Sequence, residues 1–303
     1  MPQNDIQLRG IMPPLTTPFT DGGEVDWEAL GRNVSRYNDT GLSGYVALGS
    51  NGEAVHLTTR ERARVIETVK RAASPGMRII GGVNEFSTQA AIEACRAAAD
   101  AGAEAALVVT PYYYKSSMTQ QAFVRHFTEV ANRSPIPVII YNVPQNTGVV
   151  IESPTVASLA SHENIVGIKD SAGNMGAISE TIRLVPERFA VLAGNGGILY
   201  PSVLMGARGA ILAAACAAPR ACVALFEAAA SGDHTRARQL QHRVAQLSHA
   251  VTARFGLPGL KAVMDMLGYV GGLPRSPLLP LGAADQDTLK KILRNCGLFP
   301  ELE

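Results

Sequence analysis

One lysine stands at a position suited to chemistry. Lys169 closes the apolar run 165–168, whereas Lys70, Lys115, Lys261, Lys290 and Lys291 fall in stretches that read as helices or loops. A free lysine, with a pKa of about 10.4, is almost fully protonated near neutral pH, and an ammonium is no nucleophile. Removal from water disfavours the charged form and frees an amine able to attack a carbonyl. The competing reading is a strand-end lysine that points at water or pairs with the adjacent Asp170.

Tyr141 ends the preceding apolar run, 138–141. A phenol there can pass a proton between an amine, a carbinolamine and a substrate oxygen. The alternative is a core tyrosine whose hydroxyl finds an ordinary partner. Gly49-Ser50-Asn51-Gly52-Glu53 offers backbone N–H groups and two short polar side chains to an anion such as a carboxylate, although glycine pairs also mark plain turns. Tyr112-Tyr113-Tyr114 follows Thr110-Pro111 and reads as an exposed patch fit for a subunit interface. The glycine run 194–197 lies where barrels often bind phosphate. No basic residue stands immediately beside it, so a phosphorylated substrate is not expected; Gly194 remains a candidate substrate contact. Paired carboxylates of the glycosidase kind and a His/Asp/Glu metal cluster are both missing from these segments. The six histidines are scattered and read mostly as surface residues.

These groups need a scaffold that brings distant segments to one mouth. The runs 105–109, 138–141, 165–168, 190–192 and 210–212 are apolar without alternation, the mark of strands covered on both faces. Weaker strand candidates are 10–13, 44–48 and 79–82. Helical segments are expected at 26–37, 59–73, 87–101, 118–132, 153–160, 175–184, 198–205 and 218–230. Eight strands each followed by a helix predict a TIM (β/α)8 barrel over residues 1–232, with the polar segments at the C-terminal ends of the strands. A doubly wound sheet fits less well, since no GxGxxG follows the first strand. Residues 233–303 read as a helical extension packed on the barrel, with helices at 235–254, 259–267 and 285–295.

The 303 residues are 47% hydrophobic and 17% charged with a net charge of +1, which supports a large core and gives no nucleic-acid footprint. No run reaches the roughly 18 apolar residues of a membrane span, and the polar N-terminus does not resemble a signal peptide. Cys95, Cys216, Cys222 and Cys296 form no CxxC pair, so a reduced, cytoplasmic protein is expected.

The motifs GSNGE (49–53), TPYY (110–113), YNVP (141–144), GIKD (167–170) and GAI (209–211) stand in order and together resemble the dihydrodipicolinate synthase / N-acetylneuraminate lyase family over essentially the whole chain. The resemblance implies a class I lyase in which Lys169 forms a Schiff base with pyruvate and Tyr141 is the general acid/base. Ser50 and Tyr113 would complete a proton relay, Tyr113 reaching in from a neighbouring subunit. Ser50 and Asn51 would hold the substrate carboxylate, helped by the backbone at Ile211. It further implies a homotetramer built as a dimer of tight dimers, and no cofactor or metal.

Lysine-pathway synthases in the family carry an arginine two residues after YNVP, where this chain has Asn146. The Ser50-Asn51 pair, Asn146-Thr147-Gly148, Lys169-Asp170-Ser171, and the tail AVTARFGLPGLKAVMD with GYVGG look most like 4-hydroxy-2-oxoglutarate aldolase, with Ser171 as a further substrate contact. Cleavage of that substrate to pyruvate and glyoxylate is therefore the leading expectation. Sugar-acid aldolases or dehydratases come next, then dihydrodipicolinate synthase. Rivals from other classes are a metal-dependent aldolase and a non-catalytic 2-oxo-acid sensor.

Overall fold

The computed structural model describes residues 6 and 8–299, so the extreme ends of the two expected units lie outside the described residues. Eight strands form one parallel sheet: β1 (Gly10–Met12), β2 (Gly44–Ala47), β3 (Arg78–Val83), β4 (Ala105–Val109), β5 (Val138–Asn142), β6 (Ile165–Asp170), β7 (Ala190–Ala193) and β8 (Gly209–Ile211). Each pairs with its sequence neighbour from β2 to β8, and β8 pairs with β1. The ring closes where the Val46 N–H donates to the Pro13 carbonyl at 3.1 Å and the Leu15 N–H to the Val46 carbonyl at 2.9 Å. This is the expected (β/α)8 barrel.

Strand residues alternate between two apolar environments. Met12, Val46, Ile80, Leu107, Ile139, Leu192 and Ile211 fill the barrel interior. Val83, Val108, Ile140, Ile168 and Val191 face outward onto helices. The last strand begins at Gly209 rather than at Ala210. A Cβ at position 209 would collide with the backbone of Gly10, so glycine lets β8 close against β1.

The helices are α1 (Trp27–Tyr37), α2 (Thr59–Ala72), α3 (Thr88–Asp100), α4 (Gln120–Arg133), α5 (Pro144–Thr147), α6 (Ser153–Leu159), α7 (Met175–Leu184), α8 (Leu199–Leu204), α9 (Ala214–Ala217) and α10 (Pro219–Ser231). Several start on a side chain that accepts an otherwise unpaired backbone N–H: Asp26, Thr58, Ser87, Thr119 and Asn174.

The C-terminal extension holds α11 (His234–His249), a π-helical turn (Ala250–Arg254), α12 (Gly256–Met266) and α13 (Ala283–Asn295). Helix α12 starts at Gly256, three residues before the expected Gly259. Pro258 then falls in the first turn, where its missing N–H costs no intrahelical bond. Leu247, Leu260, Met264, Leu289 and Leu293 share one core with Ile11, Leu42 and Tyr45 of the barrel. No helix among the described residues is long and apolar enough to cross a membrane.

The four cysteines are buried free thiols. Burial pushes Cys95 up to about 11 and Cys222 up to about 12, which keeps both protonated and unreactive.

His126 corrects the expectation of a surface residue: it is 5% exposed on the inner face of α4, beside Phe123 and Phe127. Its Nδ1 lies 2.9 Å from Thr88 Oγ1, and its Nε2 has no partner among the described residues. Burial pushes its pKa down to about 4 from an ordinary 6.5. The unfolded chain therefore takes up a proton that the folded chain refuses. The resulting stability is fully present above pH 6.5 and is lost as pH falls toward 4. Denaturant unfolding at pH 7 and pH 5 should show His126→Gln losing about 2 kcal/mol less over this interval than the unmodified chain. Equal losses in the two proteins would contradict this assignment.

Candidate active site

The β5–β6 ladder sets Tyr141 directly opposite Lys169. Both point into the barrel interior, because their strand neighbours Ile140 and Ile168 point out. Lys169 is 3% exposed and Tyr141 4%, and Lys169 Nζ sits 4.4 Å from the centroid of the Tyr141 ring. The Tyr141 hydroxyl lies 3.3 Å from Ser50 Oγ, which arrives from the turn after β2. An amine, a phenol and an alcohol from three strands are thereby brought to one mouth.

Lys169 is neither out in water nor paired with Asp170. Adjacent strand residues face opposite ways, and the Asp170 carboxylate accepts from Asn142 Nδ2 at 2.8 Å and from the Ala172 N–H at 2.8 Å. Burial raises the Asp170 pKa, and those two donors oppose the rise.

The Ser50–Gly52 turn is a short 3-10 segment held by the Thr17 hydroxyl, which donates to the Gly52 carbonyl at 2.7 Å. Asn51 is half-buried on the same turn. Ser171 is half-buried just past β6, where its N–H donates to the Asn142 carbonyl at 2.9 Å. The Gly194 N–H donates to the Asp170 carbonyl at 2.6 Å, which ties β7 to the same rim. Ile211 lies opposite Met12 in the closing ladder, at the end of β8.

Two expected residues are exposed. Asn146 is exposed on α5. Tyr113 is 69% exposed, and its ring packs 5.1 Å from that of Tyr114 and 5.8 Å from that of Phe86.

Thr17, Glu53 and Lys261 were not read from the sequence as participants. Glu53 and Lys261 are buried below the turn, with Lys261 Nζ 2.7 Å from Glu53 Oε1. The available signal was the pair of motifs GSNGE and GLPGLK, each holding one partner. Among the described residues, no three His, Cys, Asp or Glu side chains are grouped so as to hold a metal ion.

The sequence matches the dihydrodipicolinate synthetase family over residues 7–296. The 4-hydroxy-tetrahydrodipicolinate synthase of Methanothrix thermoacetophila is 37% identical over 287 residues, which cover 94% of this chain and 96% of that protein. The crystal structure of dihydrodipicolinate synthase from Aquifex aeolicus superposes with a TM-score of 0.90 at 35% identity, covering 96% of this chain and 98% of that one. That of the chloride-inhibited dihydrodipicolinate synthase from Acinetobacter baumannii, complexed with pyruvate, gives a TM-score of 0.91 at 34% identity, covering 96% of this chain and 100% of that one.

The rim leaves no room at Gly194, where a Cβ would collide with Ser171 Oγ and stand 2.9 Å from the Asp170 carbonyl oxygen. Gly194→Ala should cost about 1–3 kcal/mol by overpacking. Gly282→Ala, whose Cβ would meet nothing within 4 Å, should stay within about 0.5 kcal/mol. Denaturant midpoints of the two variants check this, and equal midpoints would show that the rim yields freely.

Proposed function

Because this chain belongs to the dihydrodipicolinate synthetase family, we propose that its barrel mouth condenses the Lys169 amine with the ketone of pyruvate or a related 2-oxo acid. The chain is an enzyme of the lyase class. The observation that carries the reading is a buried lysine, with no carboxylate paired to it among the described residues, 4.4 Å from the ring of a tyrosine whose hydroxyl meets Ser50 at 3.3 Å. The pyruvate in the Acinetobacter baumannii neighbour supports the choice of ketone.

The Lys169 nitrogen attacks C2 of the 2-oxo acid. The C2 oxygen takes a proton from the Tyr141 hydroxyl, which recovers one from the attacking amine. A second proton delivered by Tyr141 turns the C2 hydroxyl into departing water and leaves a protonated imine. That iminium withdraws electrons from C3. In the synthetic direction the Tyr141 phenolate takes a C3 proton, and the enamine carbon attacks an aldehyde whose oxygen receives that proton from Tyr141. In the cleavage direction the Tyr141 phenolate takes the proton of the C4 hydroxyl, the C3–C4 bond of a larger 2-oxo acid breaks, and the aldehyde departs. Protonation of the enamine carbon from Tyr141 and hydrolysis of the imine then release pyruvate and the Lys169 amine. The iminium is the electron sink, so the scheme calls on neither metal nor cofactor.

Ser50 and Asn51, with the backbone at Ile211, hold the substrate carboxylate. Ser171, Gly194 and Asn146 border the space for the second carbonyl compound. Tyr113 joins the Ser50–Tyr141 relay from a neighbouring subunit of a homotetramer, and its exposure of 69% supports that role. Four buried free thiols suit a reducing compartment such as the cytoplasm.

The name shared by the relatives, 4-hydroxy-tetrahydrodipicolinate synthase, puts condensation of pyruvate with aspartate semialdehyde first. It gives no support to the expected cleavage of 4-hydroxy-2-oxoglutarate. One observation still favours cleavage: Asn146 occupies the place of the arginine that would grip a second carboxylate in two-pronged fashion.

Borohydride added with pyruvate should reduce the imine and leave a stable adduct on Lys169, located by peptide mass mapping. Protein recovered unmodified at saturating pyruvate would end the scheme. Lys169→Ala should lose nearly all turnover, and Tyr141→Phe about 10²–10⁴-fold. Initial rates with pyruvate plus aspartate semialdehyde, and with 4-hydroxy-2-oxoglutarate, separate the two directions. Efficient synthesis by the unmodified chain would show that Asn146 suffices without the guanidinium.

A further inference from the structure

Below the Ser50–Gly52 turn lies a charged layer that the chemistry above does not use. Among the described residues, only Leu48 and Glu53 are non-glycine residues with positive φ, at 62° and 52°. They bracket the turn on both sides. Left-handed backbone costs such residues about 1–3 kcal/mol each and persists only where the surroundings enforce it. At the first end, Asn84 Nδ2 donates to the Leu48 carbonyl at 2.9 Å. At the other, the Glu53 N–H donates to the Ser50 carbonyl at 3.2 Å, His56 Nδ1 lies 3.2 Å from Glu53 Oε2, and the C-terminal extension adds the buried cation.

Lys261 on α12 places Nζ 2.7 Å from Glu53 Oε1, with both side chains 1% exposed. The same ammonium donates to the Leu273 carbonyl at 2.8 Å. Glu53 Oε2 accepts the backbone N–H of Arg275 at 2.8 Å. The Arg275 guanidinium then reaches the Gly23 carbonyl, the His56 carbonyl and both oxygens of Glu61. Lys261 Nζ and Arg275 Cζ both lie over the Phe19 ring, at 4.5 and 4.4 Å from its centroid. Gly271 makes this wrap possible, because a Cβ there would collide with the Lys261 carbonyl.

Stability alone is a weak reason for such a pair. Burying two charges costs so much that well-packed apolar replacements are often as stable or more so. Nor is Lys261 a second nucleophile, since its Nζ is committed to Glu53 and Leu273. What the pair does fix is the backbone of Glu53, three residues from the hydroxyl that meets Tyr141. If Glu53 relaxes out of its left-handed conformation, the chain path through Ser50 and Asn51 changes.

We propose that Lys261, with Arg275 behind it, is a positioning residue for the reaction: its ion pair with Glu53 holds the Ser50–Gly52 turn in the geometry that receives the substrate carboxylate. The active site is then completed by the C-terminal extension, through the Glu53 side chain. The inference rests on the Lys169 reading.

The test measures the pyruvate concentration at half-maximal borohydride trapping on Lys169, together with denaturant midpoints. Lys261→Met strands the Glu53 charge and should lower the midpoint. The double variant Glu53→Gln, Lys261→Met removes both charges and should regain it. Both variants should still need about tenfold more pyruvate than the unmodified chain, as expected for a displaced binding group. A double variant with recovered midpoint and unchanged pyruvate requirement overturns the proposal, because the pair is then purely structural. If neither variant folds, Glu61→Gln decides: it loosens Arg275 at a partly exposed site, and an unchanged requirement there overturns the proposal equally. Absence of trapping in the unmodified chain, seen before any variant is made, defeats the Lys169 reading and this inference with it.

Discussion

The hydrogen-bonded ladder between β5 and β6 puts Tyr141 across from Lys169, and every other feature of the mouth is arranged around that pairing. Two neighbouring strands must end together, in the same register, with their inward parity at the last turn of the pleat. A slip of one residue would send the lysine outward to the helices and bring Ile168 or Asp170 inward. Barrel closure removes that freedom, because each strand is held on both sides. The interior residues beneath, among them Leu107, Ile139 and Leu192, exclude water from the floor of the site. The amine and the phenol are thus fixed by the scaffold and not by bonds to each other.

Much of this was legible in the chain. Strands of a parallel barrel are covered on both faces, so they stand out as unbroken apolar runs, and 105–109 matched β4 at both ends. The helix expected at 59–73 starts where α2 does, and the structure adds the cap at Thr58 with its reciprocal partner Glu61. Lys169 stood out as the lysine that closes an apolar run, while its direction, inward and away from Asp170, came from the strand pairing.

Other features depended on contacts that local pattern does not carry. His126 belongs to an apolar helix face, yet a lone histidine between Arg125 and Phe127 gives no sign of which way it turns. Glu53 and Lys261 are far apart in the chain, and charged residues are almost never fully buried unless paired. Local pattern places Lys261 in a helix or loop and Glu53 in a turn, and neither placement carries the pairing. Tyr113 has the opposite difficulty: its motif resembles a catalytic one, while a single chain leaves the ring exposed beside Phe86.

The strap around Glu53 also bears on how the molecule comes into being. Arg275 lies 222 positions after the carboxylate it holds, so an emerging chain carries Lys169, Tyr141 and Ser50 long before it carries the residues that brace the turn. A barrel formed before residue 275 emerges is therefore an unbraced one. The hold on the Glu53 carboxylate is added only once Arg275 has emerged, later in synthesis than the last strand of the eight-stranded ring.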